Sequence, residues 1–289
     1  MDETGLELRR AAESDLRAAY HVFATAEGEV WRRHGFEWSP SPFEAWSAPL
    51  RHLLAEDGER SFVALDGERL AGFSAALARG DTWFLSALFV LPEYQGKRVG
   101  RELLDHSWAG EYRSRMTITN SIQPVSTGMY ARRGLIPTTP ILPLSGSPTC
   151  DLPPGLEAVP AEPEGLASLD RDAYGFERDA DHRFWREQAT EANLWLSAGE
   201  PIAYSYVDSQ GLIGPLAGSD DEAAAIALQA ELARRESQHA ELHVPGSARR
   251  LVETALASGL RITRPPGLLL LSERSDPPQA LAISGYWLF

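Results

Sequence analysis

The chain has 289 residues, 43% apolar and 24% charged, with a formal net charge of −14. That length suits two domains of ordinary size, and the composition excludes a mainly disordered chain. The acidic balance argues against nucleic acid as a partner, because neutralising phosphates needs a basic surface, and it is compatible with a cationic amine.

Leu6-Glu7-Leu8 alternates as a strand, and Ser14 is placed to cap a following helix in which Leu16, Ala19, Tyr20 and Phe23 recur at helical spacing. The helical pattern runs to about Leu54 and is broken by Ser39-Pro40-Ser41-Pro42. Two strands follow, residues 61–65 and 69–78, joined at Asp66-Gly67, a dipeptide suited to a tight hairpin. Residues 82–90 carry almost no charge, so that strand is expected to bury both faces. A turn then leads into a helix from about Val99, a strand from Met116 to Asn120, and a helix opened by Pro124 and closed at Gly134.

The stretch from Thr138 to Pro154 holds five prolines and little periodicity, and the domain boundary is expected there, with domains at 1–145 and 155–289. The second half repeats the first in weaker form. Helical segments at 163–172 and 181–192 precede a hairpin over 194–207, with its turn near Gly199-Glu200. Leu212-Ile213-Gly214 leads into an alanine-rich helix over 222–235; a strand at Leu242-His243-Val244 and a helix over 248–258 follow, the latter ending at Gly259. The apolar segment 282–289 reads as a docked strand.

Cys150 is the single cysteine, so no internal disulfide and no cysteine metal cluster can form. Histidines at 182, 239 and 243 lack a partner carboxylate motif, and no metal is expected. Met1-Asp2-Glu3-Thr4 lacks the basic and apolar regions of an export signal, and no apolar run approaches the ~20 residues that cross a bilayer. The expected location is the cytoplasm, with no membrane partner; the oligomeric state is not legible.

The chemistry concentrates at Gln95-Gly96-Lys97-Arg98-Val99-Gly100-Arg101. A buried strand, a glycine turn and a helix start form an anion site, because successive N–H groups and the helix dipole point at one spot. Glycines at 96 and 100 let a pyrophosphate approach the main chain, and Lys97, Arg98 and Arg101 add positive charge. The simpler reading is a solvated basic helix start.

With its context, Leu88 through Leu104, this segment resembles the acetyl-coenzyme A motif Gln/Arg-x-x-Gly-x-Gly/Ala of the GCN5-related N-acetyltransferase (GNAT) family. The resemblance extends from the Asp66-Gly67 hairpin to Gly128-Met129-Tyr130-Ala131-Arg132-Arg133-Gly134-Leu135 and covers about residues 6–140. It departs at Arg98, where the family usually has glycine. The resemblance implies an α/β (α+β) fold of two tandem GNAT-like domains, each a mixed, mostly antiparallel sheet flanked by helices, the C-terminal one degenerate. It implies acetyl-CoA as acyl donor and direct transfer of the acetyl group to a primary amine of a small molecule; a non-catalytic coenzyme A-binding sensor is the alternative.

Residue by residue, the resemblance implies that main-chain groups of Phe89 and Val90 hold the pantetheine arm and that residues 95–101 hold the pyrophosphate. Asn120 matches a position that contacts the arm, and Tyr130 the tyrosine that acts as general acid towards the departing thiolate. A phenol on a buried helix face is the simpler account of Tyr130. Glu27 and Glu29 fall in the region that forms acceptor sites in the family, though each reads more simply as a solvated surface charge; Trp31 and Trp83, with Trp38 and Trp46, could wall such a pocket and are equally readable as core.

An ungapped offset of 125 aligns Gly134 with Gly259, placing Ala255 on Tyr130, Asp220 on Gln95, Asp221 on Gly96 and Ala225 on Gly100. Carboxylates where a pyrophosphate would sit repel it. The second domain is therefore expected not to bind coenzyme A.

Overall fold

The computed structural model describes residues 5–289, except the side chain of Glu164; Met1–Thr4, read above as lacking an export signal, lie outside them. By contacts the chain divides into one unit of residues 1–118 and 122–135 and a second of residues 119–121 and 136–289. No helix of the described residues is long and apolar enough to cross a membrane.

The first unit opens with β1 (Glu7–Arg10), α1 (Leu16–Arg33) and α2 (Phe43–Asp57), then β2 (Phe62–Asp66), β3 (Arg69–Arg79) and β4 (Thr82–Val90). α3 (Val99–Ser107), β5 (Ser114–Asn120) and α4 (Pro124–Ala131) complete it, the last residues of β5 being counted with the second unit. Its strands run β1-β2-β3-β4-β5, antiparallel except for the parallel pair β4 and β5. Asp66 pairs with Arg69, so the hairpin loop is Gly67-Glu68. Gly67 takes φ 59° there, the positive value that the first central position of such a turn requires.

Ser14 does not cap α1. It lies inside a short 3₁₀ turn, and the acceptor at that corner is Asp15, whose carboxylate takes the Ala12 N–H at 2.9 Å and both Nη groups of Arg9 at 2.7 and 2.8 Å. α1 and α2 cover one face of the sheet with Tyr20, Phe23 and Trp46, which meet Phe73 of β3 and Phe89 of β4. α3 covers the other face with Val99 and Leu103, packed with Ala64 and Ala71.

The second unit contains β6 (Ile136–Gly146), β7 (Leu156–Pro160), α5 (Ala167–Tyr174), α6 (Asp179–Gln188), β8 (Glu191–Ser197), β9 (Glu200–Val207) and β10 (Ile213–Gly218). Then come α7 (Asp221–Ala233), β11 (Ala240–Pro245), α8 (Arg249–Ala257), β12 (Arg261–Ile262), β13 (Gly267–Leu271) and β14 (Leu281–Ala282). One set of strands runs β14-β10-β9-β8-β7; in the other, β6 pairs with β11, β12 and β13, all antiparallel. From β7 to α8 this repeats the element order of the first unit.

The stretch read as an aperiodic linker, 138–154, is strand over its first half, to Gly146, and carries no helix or strand after that. Residues 136–146 belong to the second unit, and the units divide ahead of the boundary expected at 145. Proline cannot donate to a ladder, which is why the sequence hides this strand. Here the carbonyls do the work: Pro140 accepts from Gly246 N–H at 2.7 Å and Pro143 from Thr263 N–H at 3.2 Å. The C-terminal segment is docked as expected, with Leu288 and Phe289 buried, but its strand is only the two residues of β14.

Candidate active site

The site of the first unit starts where β4 leaves β5. Their parallel pairing runs from Thr82↔Ser114 to Leu85↔Thr117 and stops, with the Thr117 hydroxyl donating to the Leu85 carbonyl at 2.9 Å. β4 continues to Val90, paired with β3 on its other side. Its outer edge from Ser86 onward is thus not laddered to β5, and an extended ligand carrying amides can pair with such an edge as an added strand. Val90 turns its main-chain groups to that edge, but Phe89, expected to do the same, does not. Groups alternate along the strand: the Leu91 N–H donates to the Ala71 carbonyl of β3 at 2.9 Å, and the Phe89 carbonyl likewise faces β3, 2.9 Å from where a Cβ on Gly72 would be. The Val90 carbonyl is already engaged by the side chain of Gln95, whose Nε2 donates at 2.9 Å.

Gln95 therefore braces the turn from within. Its own N–H donates to the Pro92 carbonyl at 3.2 Å. Tyr94 ties the same corner to the β2–β3 hairpin through its hydroxyl, which donates to Asp66 at 2.8 Å. This brace carries no motif signal beyond the glutamine itself.

Gly96 and Arg98 both take left-handed backbone, φ 78° and 67°. Arg98, where the resemblance departs from glycine, thus takes a backbone conformation that glycine favours, at a cost of about 1–2 kcal/mol for an L-residue. Arg98 is the N-cap of α3, and its carbonyl takes the N–H groups of Arg101 and Glu102 at 2.9 and 3.1 Å. The N–H groups of Val99 and Gly100 precede the first bond of the helix and have no partner inside it. Val99 is buried and contributes only its main chain, whereas Gly96, Lys97, Arg98 and Arg101 are exposed. A Cβ on Gly100 would meet Val90 Cγ2 at 3.6 Å and Met129 Sδ at 4.0 Å. The end of β4, the start of α3 and α4 thus converge on one spot, where a turn of N–H groups and cations can hold a pyrophosphate.

Tyr130 sits on α4, one residue after that methionine, and is 4% exposed. Burial pushes its phenol pKa well up, so it is protonated at neutral pH. Gly134 (φ 82°) ends the helical turn, and Arg133 pairs with Asp105 of α3. Asn120, half-buried at the end of β5, falls in the second unit and is not placed with these residues.

The acceptor candidates separate into two kinds. Trp83 is fully buried, its indole N–H donating to the Ser107 carbonyl at 3.0 Å and its ring against Trp108. It is core on the α3 face and walls no pocket. Trp46 is likewise buried. Glu27, Trp31 and Trp38 stay together at the end of α1: the Glu27 carboxylate accepts from Trp31 Nε1 at 2.8 Å, and Trp38 lies over Gly28, 3.2 Å from where a Cβ would be. Phe36, exposed, stacks edge-on to Trp31 and extends this patch; no periodic signal marks it. Glu29 is held instead by Arg32 and Arg33.

In the second unit the equivalent corner is closed. The β10 edge carries β14 (Leu216↔Ala282, Ala217↔Leu281), and Ile283 N–H donates across to the His243 carbonyl of β11 at 3.0 Å. A Cβ on Gly214 would stand 2.3 Å from the Ile283 carbonyl oxygen, so only glycine admits the segment. Asp220 caps α7 with its own carboxylate, which takes the Ala223 N–H at 2.8 Å, and Arg250 pairs with Asp221 and Glu222. The offset of 125 holds for Gly134 and Gly259, both at positive φ, but not at this helix start: Asp220 takes the cap position that Arg98 has in α3, not that of Gln95.

A polar cluster around Asp170, within the second unit, is sealed. Asp170 accepts from Tyr204 at 2.7 Å and lies 2.9 Å from His182 Nε2 and 3.3 Å from two Arg178 nitrogens, all buried. Burial alone would raise the Asp170 pKa, yet Arg178 and His182 hold it below its usual value. Both ring nitrogens of His182 are engaged, the second with Tyr206 at 3.0 Å. Among the described residues no group of three or more His, Cys, Asp or Glu is arranged to hold a metal ion.

Residues 23–135 match the model of the acetyltransferase (GNAT) family. Among solved structures, a provisionally assigned acetyltransferase from Pyrococcus horikoshii is similar over 99% of this chain and 96% of its own, at 16% identity and a TM-score of 0.77. A GCN5-related N-acetyltransferase from Sphaerobacter thermophilus is similar over 96% and 98%, at 16% identity and 0.64. A glucosamine N-acetyltransferase region of a fungal multi-domain β-N-acetylglucosaminidase covers 92% of this chain and 38% of that one, at 13% identity and 0.65. These likenesses establish the shared fold. No curated protein matches the sequence.

Proposed function

We propose that residues 23–135, a domain of the acetyltransferase (GNAT) family, bind acetyl-CoA and transfer its acetyl group to a primary amine of a small molecule. The observation that carries this is the open corner at Ser86–Gly100: an unladdered strand edge leading into an exposed turn of glycine, cations and helix N–H groups. The outward main chain of β4 at Val90 would hold the pantetheine amides, and Gly96 to Arg101 the pyrophosphate. A neutral amine would attack the thioester carbon; as the C–N bond forms and the C–S bond breaks, the sulfur takes a proton from the Tyr130 phenol, the nitrogen loses its extra proton to water, and water returns a proton to the phenolate.

The patch of Glu27, Trp31, Phe36 and Trp38 suits a cationic amine, by carboxylate charge and aromatic faces together. The amino sugar named for the fungal relative is one such acceptor. The second unit, with its β10 edge occupied and its helix start capped by carboxylate, takes no cofactor in this reading, which gives one acetyl-CoA per chain.

Calorimetric titration with acetyl-CoA tests the cofactor, and thiol release across a panel of amines tests the transfer. One equivalent bound, with amine-dependent thiol release, is expected. Binding without release over background hydrolysis for any amine would leave the sensor reading in place.

A further inference from the structure

Of the 27 lysines and arginines in the chain, one is a lysine, Lys97. It is therefore the one side chain with a primary amine, the group that acyl donors modify, whereas a guanidinium stays charged and unreactive. That amine stands in the exposed turn, between Gly96 and Arg98 with their left-handed backbone. The Lys97 N–H donates to the Tyr94 carbonyl at 3.4 Å, and the ammonium lies 5.3 Å from the centre of the Tyr94 ring. Tyr94 is anchored to Asp66, so the ammonium rests on a fixed aromatic face. Glu93, the nearest acid in sequence, is paired with Arg69.

The turn separates two kinds of acyl donor by geometry. A coenzyme A with its pyrophosphate in the turn and its arm along β4 carries its thioester towards Leu85, where the ladder to β5 ends. That is roughly 16 Å from Val90 at about 3.3 Å per strand residue, and one side chain cannot span it. An acyl phosphate carries its carbonyl a single oxygen away from phosphorus. With that phosphate in the same turn, the carbonyl carbon stands beside Lys97.

We infer that Lys97 is a modification site for small acyl phosphates, and that its acylation weakens the hold of the turn on coenzyme A. This rests on the reading above that the turn binds the pyrophosphate. The neutral Nζ attacks the carbonyl carbon and the C–N bond forms. The bond from that carbon to the phosphate oxygen breaks, and inorganic phosphate leaves with the electron pair. The nitrogen sheds its extra proton to the phosphate, directly or through water. The N–H groups and cations that seat the phosphate also stabilise it as the leaving group. The product is a neutral amide, which offers no ammonium to a pyrophosphate. Bound coenzyme A fills the turn and so protects Lys97.

The test treats the full chain with acetyl phosphate, with and without saturating free CoA, and follows Lys97 by peptide mass mapping. CoA affinity is then titrated on the treated chain, freed of reagent. Acetylation is expected to run about tenfold or more faster than in a peptide of residues 93–101, which has the sequence without the fold, and CoA should suppress that advantage. The treated chain should bind CoA about three- to tenfold more weakly, with its circular dichroism unchanged. Lys97→Arg keeps a cation that the reagent cannot remove, and its CoA affinity should be the same before and after treatment. A rate no faster than that of the peptide, no protection by CoA, unchanged CoA affinity after acetylation, or an equal loss in treated Lys97→Arg would each overturn the role of Lys97 and leave the acetyl-CoA reading standing. An untreated chain that does not bind CoA would overturn that reading and this inference with it.

Discussion

In the first unit β4 leaves β5 after Leu85, and its edge up to Val90 faces outward towards an exposed turn; in the second unit the edge of β10 is covered by β14, and α7 begins on its own carboxylate cap. The order of elements is the same, so topology does not separate the two corners. Single residues do. Gly214 admits the segment at Ile283, and Asp220 and its two acidic neighbours fill the helix start with negative charge. Gly96 and Gly100 leave the other start open. A fold can thus keep its scaffold while a few side chains decide whether the corner takes an anion.

The largest effect is expected where a Cβ would meet backbone. Gly214→Ala should destabilise the second unit by about 2–4 kcal/mol, since Ile283 or β10 must move. Urea unfolding measures the loss, and amide exchange at residues 281–283 shows whether the segment is released. Acetyl-CoA affinity of the first unit should hold. A variant as stable as wild type would mean that the segment is not clamped as described.

Gly100→Asp makes the first corner resemble the second. A Cβ there meets only ordinary contacts, so stability should change little. A carboxylate within a few ångströms of a pyrophosphate should cost about 1–3 kcal/mol, or roughly 10- to 100-fold in acetyl-CoA affinity by titration. Equal affinity would place the pyrophosphate elsewhere.

Tyr130→Phe removes the hydroxyl whose counterpart position in α8 is held by buried Ala255. Turnover should fall about tenfold or more with cofactor affinity kept, as steady-state thiol release and titration together would measure. Unchanged turnover would take Tyr130 out of the mechanism. Smallest is Arg98→Gly. Relief of the left-handed backbone, offset by glycine's greater unfolded freedom, should raise stability by less than about 1 kcal/mol in thermal unfolding. Loss of one cation should weaken acetyl-CoA only a few-fold. A drop in stability would show that the arginine side chain outweighs its backbone strain.

Local chemistry made much of the first unit legible. β4 was readable from its uncharged run, α3 from Val99, and the turn from glycines set among cations, because each signal lies within a few residues. The capping of α1 was misread, since Ser14 lies inside a 3₁₀ turn that runs directly into the helix, and α1 has no side-chain cap. β6 was missed altogether: its prolines erase the local strand signal, and its partners, β11 and β13, lie far along the chain. Trp83 shows the same limit for a site residue, because nothing in its neighbours says which face of the sheet it occupies.

By itself the sequence determined the strand–turn–helix with its glycines and cations, the tyrosine on the helix after β5, and the presence of carboxylates at the start of α7, though not their register, since Asp220 stands at the cap position of Arg98 and not of Gln95. These depend on residue type and short spacing. Tertiary structure alone decided which edge of β4 is open and that residues 281–283 occupy the matching edge of β10. Each of those depends on contacts between segments distant in the chain, and no local pattern encodes where such segments meet.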